Sequence, residues 1–299
     1  MKALITGVAG YVGSNLKNCL QNDGWDVYGI DKKGINCDLS QSKFLGYDGD
    51  YEQLVKFVDR IRPERVIHLA ANLSKDLNSN TFSGLFYTNI EFSAQLAQAS
   101  LESGVDRFIF ISTFSTTMDG FHYFPQTYYA ATKKAVEDIL VYYHYSTELD
   151  VCVLCFNDIY GPHHPHKRFL NLLIDGIGNK LEFHMTRGEQ EICFLHIDDA
   201  VSSIVSAMDT KRIIDKSSFP IYSIYSNEVF TLSDLPKIVS DHMGISEYNI
   251  IFDKPYRKNE IMKVTPMYDR LPNWEPKVDF KTGLKQIIEE HKVGRDINA

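Results

Sequence analysis

Lys2-Ala3-Leu4-Ile5-Thr6-Gly7-Val8-Ala9-Gly10-Tyr11-Val12-Gly13 is a short apolar run that breaks into three evenly spaced glycines. A helical pattern, Ser14 to Asn22, follows it. In a strand, glycine-rich turn and helix of this kind, Gly7 lets the backbone turn sharply and Gly10 lets a pyrophosphate approach the amides. Gly13 lets the helix pack on the strand, and the helix N-terminus favours the anion. Tyr11 and Val12 lie inside this cradle. Asp26 to Ile30 reads as a second strand and ends in Asp31, an acid about twenty residues downstream, placed to accept ribose hydroxyls. A carboxylate there repels a 2′-phosphate, which favours NAD, while the neighbouring Lys32 and Lys33 leave NADP open.

The pattern continues outward in alternation. The third strand is either Ile35 to Cys37 with Asp38 behind it, or Phe44 to Tyr47 with Asp48, and either acid is a candidate neighbour of the adenine. Tyr51 to Arg60 reads as helix and Arg65 to Ala71 as a buried strand whose small end, Leu69-Ala70-Ala71, leaves room for a flat cofactor. His68 in that strand reads as a structural histidine. A long helical stretch, Phe82 to Ser103, precedes a strand, Phe108 to Ile111, that runs into Ser112-Thr113. A further helix reaches about Glu148 and is followed by a sixth strand, Val151 to Phe156. Strands alternating with helices predict an α/β fold with a doubly wound parallel sheet of Rossmann type.

With 299 residues, 44% of them hydrophobic, the chain can bury one large core or two modest ones. Its formal charge of -8 gives no electrostatic reason to expect nucleic acid or an anionic membrane as a partner. The five cysteines, Cys19, Cys37, Cys152, Cys155 and Cys193, are scattered through mostly apolar runs, a pattern that fits a reduced compartment. Met1 runs straight into a strand and no apolar run approaches a membrane span, so the expectation is a cytoplasmic protein.

Tyr129-Ala130-Ala131-Thr132-Lys133 carries the chemistry. At this spacing on a helix the two side chains lie one above the other, and an ammonium beside a phenol brings its pKa toward the working range of a base. Two other constellations invite a metal or redox reading. Cys152 and Cys155 fall on opposite faces of one strand and lack a second ligand pair. His163-His164-Pro165-His166 reads as a polar substrate contact, and no metal is expected.

Taken together, Thr6 to Gly13, His68 to Ala71, Asn89, Ser112-Thr113, Tyr129 with Lys133, Tyr160-Gly161-Pro162 and Phe194 to Asp199 resemble an extended short-chain dehydrogenase/reductase of the nucleotide-sugar epimerase and dehydratase branch. The resemblance implies a catalytic triad of Thr113, Tyr129 and Lys133. Tyr129 would exchange the proton of a sugar hydroxyl, Thr113 would bond the same oxygen, and Lys133 would bind the nicotinamide ribose. It also implies that Ser112 borders the cofactor, and that the chain divides in two. Residues 1–162, with 190–222 returning to them, would form the dinucleotide domain. Residues 163–189 and 223–299 would form the smaller substrate domain, with Tyr222 to Glu228 and the tail from Phe252 contributing to it. The family often dimerises through the two long helices, here near 82–103 and 127–148, where Tyr142, Tyr143 and Tyr145 fit a seam.

Departures from the family pattern bear on the substrate. The dehydratases carry Asp and Glu where this chain has Phe114 and Ser115, so water elimination is not expected. An Arg and an Asn that commonly help hold a nucleotide pyrophosphate are replaced by Cys155 and Asp158, and an Arg-Asp pair by Ile192-Cys193. Lys167, Arg168 and Arg257 could supply the missing charge, which makes Asp158, Arg168 and Arg257 the substrate-contacting candidates. The expected activity is NAD-dependent epimerisation of a nucleotide sugar at a carbinol carbon, most simply C4. Reduction of a 4-keto sugar nucleotide and a catalytically silent NAD-binding scaffold are the alternatives.

Overall fold

The computed structural model describes residues 1–74, 78–117, 122–209 and 217–296. Its centre is a seven-stranded parallel sheet in the order β11-β6-β5-β4-β1-β2-β3. The strands are β1 (Lys2–Thr6), β2 (Asp26–Lys32), β3 (Phe44–Tyr47), β4 (Arg65–His68), β5 (Arg107–Thr113), β6 (Val151–Phe156) and β11 (Ile221–Ile224). Every residue of β5 and β6 is buried, as expected of central strands covered on both faces.

The covers follow from the helices. On one face α1 (Tyr11–Asn22) and α7 (Ile197–Asp209) pack over Ile5, Ile67, Ile109 and Leu154. On the other, α2 (Tyr51–Ile61), α4 (Phe92–Glu102) and α5 (Tyr128–Ser146) pack over Leu4, Val66, Phe108 and Val153. Asp50 starts α2 by accepting from the Gln53 amide at 3.2 Å. The strand order reverses about β1, which has β2 on one side and β4 on the other. Ligands of doubly wound sheets bind at such a switch point, beyond the strands' carboxyl ends.

A third core lies apart from the sheet, built by α6 (Phe169–Gly178), α8 (Leu235–Met243) and α9 (Phe280–Asp296) around Leu173, Ile174, Leu235 and Leu284. Small strand pairs join it to the chain. β7 (Asp158–Tyr160) pairs with β10 (Phe194–His196), β8 (Glu182–Met185) with β13 (Asn249–Phe252), and β9 (Glu191–Ile192) with β12 (Phe230–Thr231).

Several sequence expectations shift. Phe44–Tyr47, not Ile35 to Cys37, is the third strand. The strand expected to reach Ala71 ends at His68, because the chain leaves the ladder where the Leu69 and Ala70 amides turn to Thr6. Tyr222, Ser223 and Ile224, expected in the smaller unit, pair with Leu154, Cys155 and Phe156 as the edge of the main sheet. The long helix begins as α3 (Ser79–Phe86) and passes into α4 through a π turn at Tyr87–Glu91.

Candidate active site

The glycine cradle is dictated by space as well as by dihedral angle. Gly7 has φ of 67°, and a Cβ on it would lie 2.9 Å from the Ala70 amide nitrogen. A Cβ on Gly13 would sit 2.1 Å from the Gly7 carbonyl oxygen. The Gly10 amide donates to that same oxygen at 3.0 Å, closing the turn. Asp31 folds back onto the cradle, accepting from the Ala9 amide at 3.0 Å and from the Lys32 amide at 2.8 Å. Tyr11 turns its side chain elsewhere. Its hydroxyl donates to the Pro162 carbonyl at 2.8 Å and its ring lies 4.4 Å from His164, so only its backbone and that of Val12 line the cradle.

Neither candidate acid for the adenine stands alone. Asp38 pairs with the buried Lys17, and Asp48 with Lys33 at 2.8 Å; each lysine holds its partner's carboxyl below the usual range. Lys33, one of the two cations that left NADP open, is therefore engaged. On the opposite side of β1 the half-buried Leu69, Ala70 and Ala71 follow the end of β4.

Tyr129 lies in the first turn of α5, where Thr127 accepts from the Ala130 amide at 3.2 Å as N-cap. One turn on, Lys133 is 2% exposed. Its ammonium donates to the Ile111 carbonyl at 2.8 Å, 4.5 Å from the Phe110 ring centre and 6.0 Å from that of Tyr129. Burial pushes this amine down to about 7, with Glu137 opposing. Burial pushes the Tyr129 phenol above its ordinary range, with the Arg168 charge opposing. Lys133 was expected to draw the phenol down; here its ammonium is committed to a carbonyl and desolvation of the phenol dominates.

Thr113 ends β5, 9% exposed, and its hydroxyl oxygen accepts from the Ser115 amide at 3.2 Å. Ser112, expected at the cofactor, faces the other way. Its hydroxyl donates to Glu137 inside the protein.

A directional hydrogen-bond chain fixes these elements to one another. The Thr6 hydroxyl donates to His68 Nδ1 at 2.6 Å, His68 Nε2 to Ser93 at 2.7 Å, and Ser93 to the Asn89 carbonyl at 2.6 Å. The Asn89 amide donates to the Thr132 hydroxyl at 2.9 Å and to the Asn72 carbonyl at 3.1 Å, and Thr132 donates to the Tyr129 carbonyl at 2.7 Å. The acceptor role of Nδ1 follows from the order of donors. Burial keeps His68 neutral, the structural histidine expected of it. Asn89 sits in the π turn, a local distortion often found at functional sites. The sequence offered no signal for the turn itself.

The substrate candidates spread over the edge of the third core. Arg168 precedes α6, exposed, close enough for its charge to act on Tyr129, whereas Lys167 is tied to Asp175 at 2.8 Å. Asp158 is exposed on β7. Arg257 is exposed in the tail, its amide donating to Glu260 at 3.4 Å. Near it Arg187, Phe252, Lys254 and Tyr256 line a cavity of about 360 Å³. Arg187 was missed by sequence reasoning, which had no spacing rule to find it.

The Cys155 thiol is buried beside Glu137 and faces α5, so the cation missing at that position is missing from the interior and not from a phosphate site. Cys152 faces the opposite core, as the alternation required. His163 bonds Glu290 through its amide at 2.8 Å and its ring at 3.0 Å, and no metal-binding cluster occurs among the described residues.

A model of the NAD dependent epimerase/dehydratase family matches residues 3–224. CDP-abequose synthase of Salmonella typhimurium is 23% identical, covering 96% of this chain and 97% of its own. A putative UDP-glucose 4-epimerase of Methanocaldococcus jannaschii is 22% identical over 95% of this chain and 96% of its own. Among solved structures, the UDP-glucose 4-epimerase of Thermotoga maritima with UDP-glucose superposes with a TM-score of 0.85 at 25% identity, covering 99% of this chain and all of that one.

Proposed function

The chain belongs to the NAD dependent epimerase/dehydratase family, and from that premise we propose that it is an NAD-dependent epimerase acting at C4 of a nucleotide sugar. The observation that carries the reading is the pairing of a complete Thr113, Tyr129 and Lys133 set with a turn, Phe114–Thr116, that holds no carboxylate. Elimination of water needs an acid and a base next to the reacting carbon, and this turn supplies neither.

NAD fits the residues present. The cradle closed by Gly7 and Gly13 leaves backbone amides open to a pyrophosphate, Asp31 stands at the cradle's edge for the ribose, and Lys133 is a buried cation beside Tyr129. When bound, NAD would supply the hydride acceptor and donor for the sugar carbon. The chain's own part is to hold the sugar and move the proton. Tyr129 takes the proton of the C4 hydroxyl and later gives it back, while the Thr113 hydroxyl donates to the same oxygen. For a phenol raised by burial to act near neutrality, positive charge has to draw it down, and Lys133 and Arg168 are the cations in reach. Rotation of the 4-keto sugar within the site would present its other face and so invert the centre.

Arg168, Arg187 and Arg257 supply the positive charge for the nucleotide, and Asp158 repels phosphate from the edge of β7. A division into residues 1–162 with 190–224, and 163–189 with 225–299, would give the dinucleotide to the first unit and the sugar nucleotide to the second, Ser223 and Ile224 belonging to the main sheet. Exposed Phe82, Phe86 and Tyr87 on the long helix, with Tyr142 and Tyr145 on α5, support pairing with a second copy. No helix among the described residues is long and apolar enough to cross a membrane, and the five free thiols suit the reducing cytoplasm.

Purification without added cofactor, followed by denaturation and mass spectrometry of the released nucleotides, tests the reading. Near-stoichiometric NAD or NADH, together with interconversion of UDP-glucose and UDP-galactose or of another 4-epimeric pair, is expected. An empty site that fills from NADPH and consumes it on a 4-keto sugar nucleotide would replace epimerase by reductase.

A further inference from the structure

Glu137 has no part in the proton path above, yet it is wholly buried one turn beyond Lys133 on α5. One carboxylate oxygen accepts from the Ser112 hydroxyl, and the other lies 3.2 Å from the Lys134 ammonium. The charged and titratable groups that face it are Lys133, Lys134 and Asp138 on its own helix, Cys155 on β6 and Tyr268 on the tail. Burial pushes the Glu137 carboxyl above the usual carboxylate range, and the Ser112 hydroxyl and the Lys134 ammonium oppose that push, so its charge is held by these two partners. Two ties thereby join α5 to adjacent residues of β5: Glu137 to Ser112, and Lys133 to the Ile111 carbonyl at 2.8 Å.

We propose that Glu137 is a positioning residue whose carboxylate, seated on Ser112, holds Lys133 against the end of β5 and balances its charge. The inference rests on the reading of Lys133 as the ribose-binding cation. Burial brings Lys133 to about 7, and the Glu137 charge is the main influence holding it up. Without that charge the amine would lose its proton at lower pH still.

NADH is the probe, its dissociation constant followed by fluorescence from about pH 5.5 to 9 for the wild type, Glu137→Gln, Glu137→Asp and Lys133→Met. Wild-type affinity should fall as pH rises through the titration of Lys133. In Glu137→Gln the same fall should move down by about one pH unit, so that binding is ~5-fold weaker near pH 7 but within about two-fold of wild type near pH 5.5. Glu137→Asp, which keeps the charge, should return the profile toward wild type. A merely structural Glu137 would weaken binding equally at every pH in both variants, and that result, or a Gln profile superimposed on wild type, overturns the proposal. Lys133→Met separates the two readings. If it binds NADH normally, the role of Lys133 falls and the proposal with it. If it abolishes the pH-dependent fall while Glu137→Gln leaves the fall in place, the proposal alone fails. Should Glu137→Gln not fold, Ser112→Ala removes the seat and should shift the profile in the same direction; no shift there overturns the proposal equally.

Discussion

Lys133→Met should make the unliganded protein more stable at neutral pH while removing its function. Lys133 titrates at about 7 in the folded protein against 10.5 for a free lysine. At pH 7 that gap corresponds to about 4 kcal/mol of destabilisation, because the folded state must hold a desolvated ammonium or give up its proton. Methionine fills a similar volume without that charge. It leaves the Ile111 carbonyl without its 2.8 Å donor, a loss of about 1–3 kcal/mol. The balance is a gain of about 1–3 kcal/mol, or a rise in Tm of about 2–8 °C for a chain of this size.

The pH dependence sharpens the expectation. Since the folded value lies below the unfolded one, the unfolded chain binds more protons between about pH 7 and 10.5, and wild-type stability rises with pH across that window. The methionine variant lacks this contribution. Its advantage should be largest below pH 7, shrink above it, and change sign near pH 9–10, where only the lost hydrogen bond remains. Thermal unfolding of both proteins at about pH 6, 7.5 and 9.5 reads this directly. A variant less stable than wild type at pH 6, or a difference that does not vary with pH, would refute the reasoning.

Gly13→Ala should lower Tm by about 4–10 °C and weaken NADH binding at least ~30-fold, since its Cβ would lie 2.1 Å from the Gly7 carbonyl and only backbone could yield. Thermal unfolding with a fluorescence titration checks both, and NADH affinity within two-fold of wild type would remove the cradle argument. Tyr129→Phe should reduce kcat by about 10²–10⁴-fold with NADH affinity nearly unchanged, as steady-state kinetics and titration would show; unchanged turnover takes Tyr129 out of the mechanism. Asp31→Asn should raise NADPH affinity by about 10-fold relative to NADH, because like-charge repulsion of the 2′-phosphate is removed while the Ala9 amide keeps an oxygen acceptor. Competitive binding measures it, and an unchanged ratio would mean that Asp31 does not face the ribose.

The glycine cradle was legible because its causes are local: a positive φ, a close backbone approach and an acid returning from the next strand. The acids beyond it were not. Whether Asp38 or Asp48 is available depends on Lys17 and Lys33, and pairing across loops leaves no mark in the periodicity of either segment. The π turn was invisible for a related reason. Asn89 holds it in place through Asn72, 17 residues before it, and Thr132, 43 residues after it. Nothing in Tyr87 to Glu91 departs from a helical pattern.

Ser112 and Cys155 are different, because the signal was present in strand alternation. Once Thr113 is assigned to the site, Ser112 must face the opposite side of β5, and the register that pairs Ser112 with Cys155 turns position 155 the same way. Both point toward α5, where the buried Glu137 is found. Loss of a cation at position 155 therefore changes the balance around Glu137 and Lys133 and leaves the nucleotide's surroundings alone. On the proposed reading, holding phosphate would fall to Arg168, Arg187 and Arg257, which come from separate segments of the chain. Of these, Arg168 is the one whose charge already acts on Tyr129. A nucleotide drawn to it would partly neutralise that charge, and the phenol, already raised by burial, would rise further. On the proposed reading the buried lysine, costly to the fold, would then have to supply the charge that the proton transfer needs.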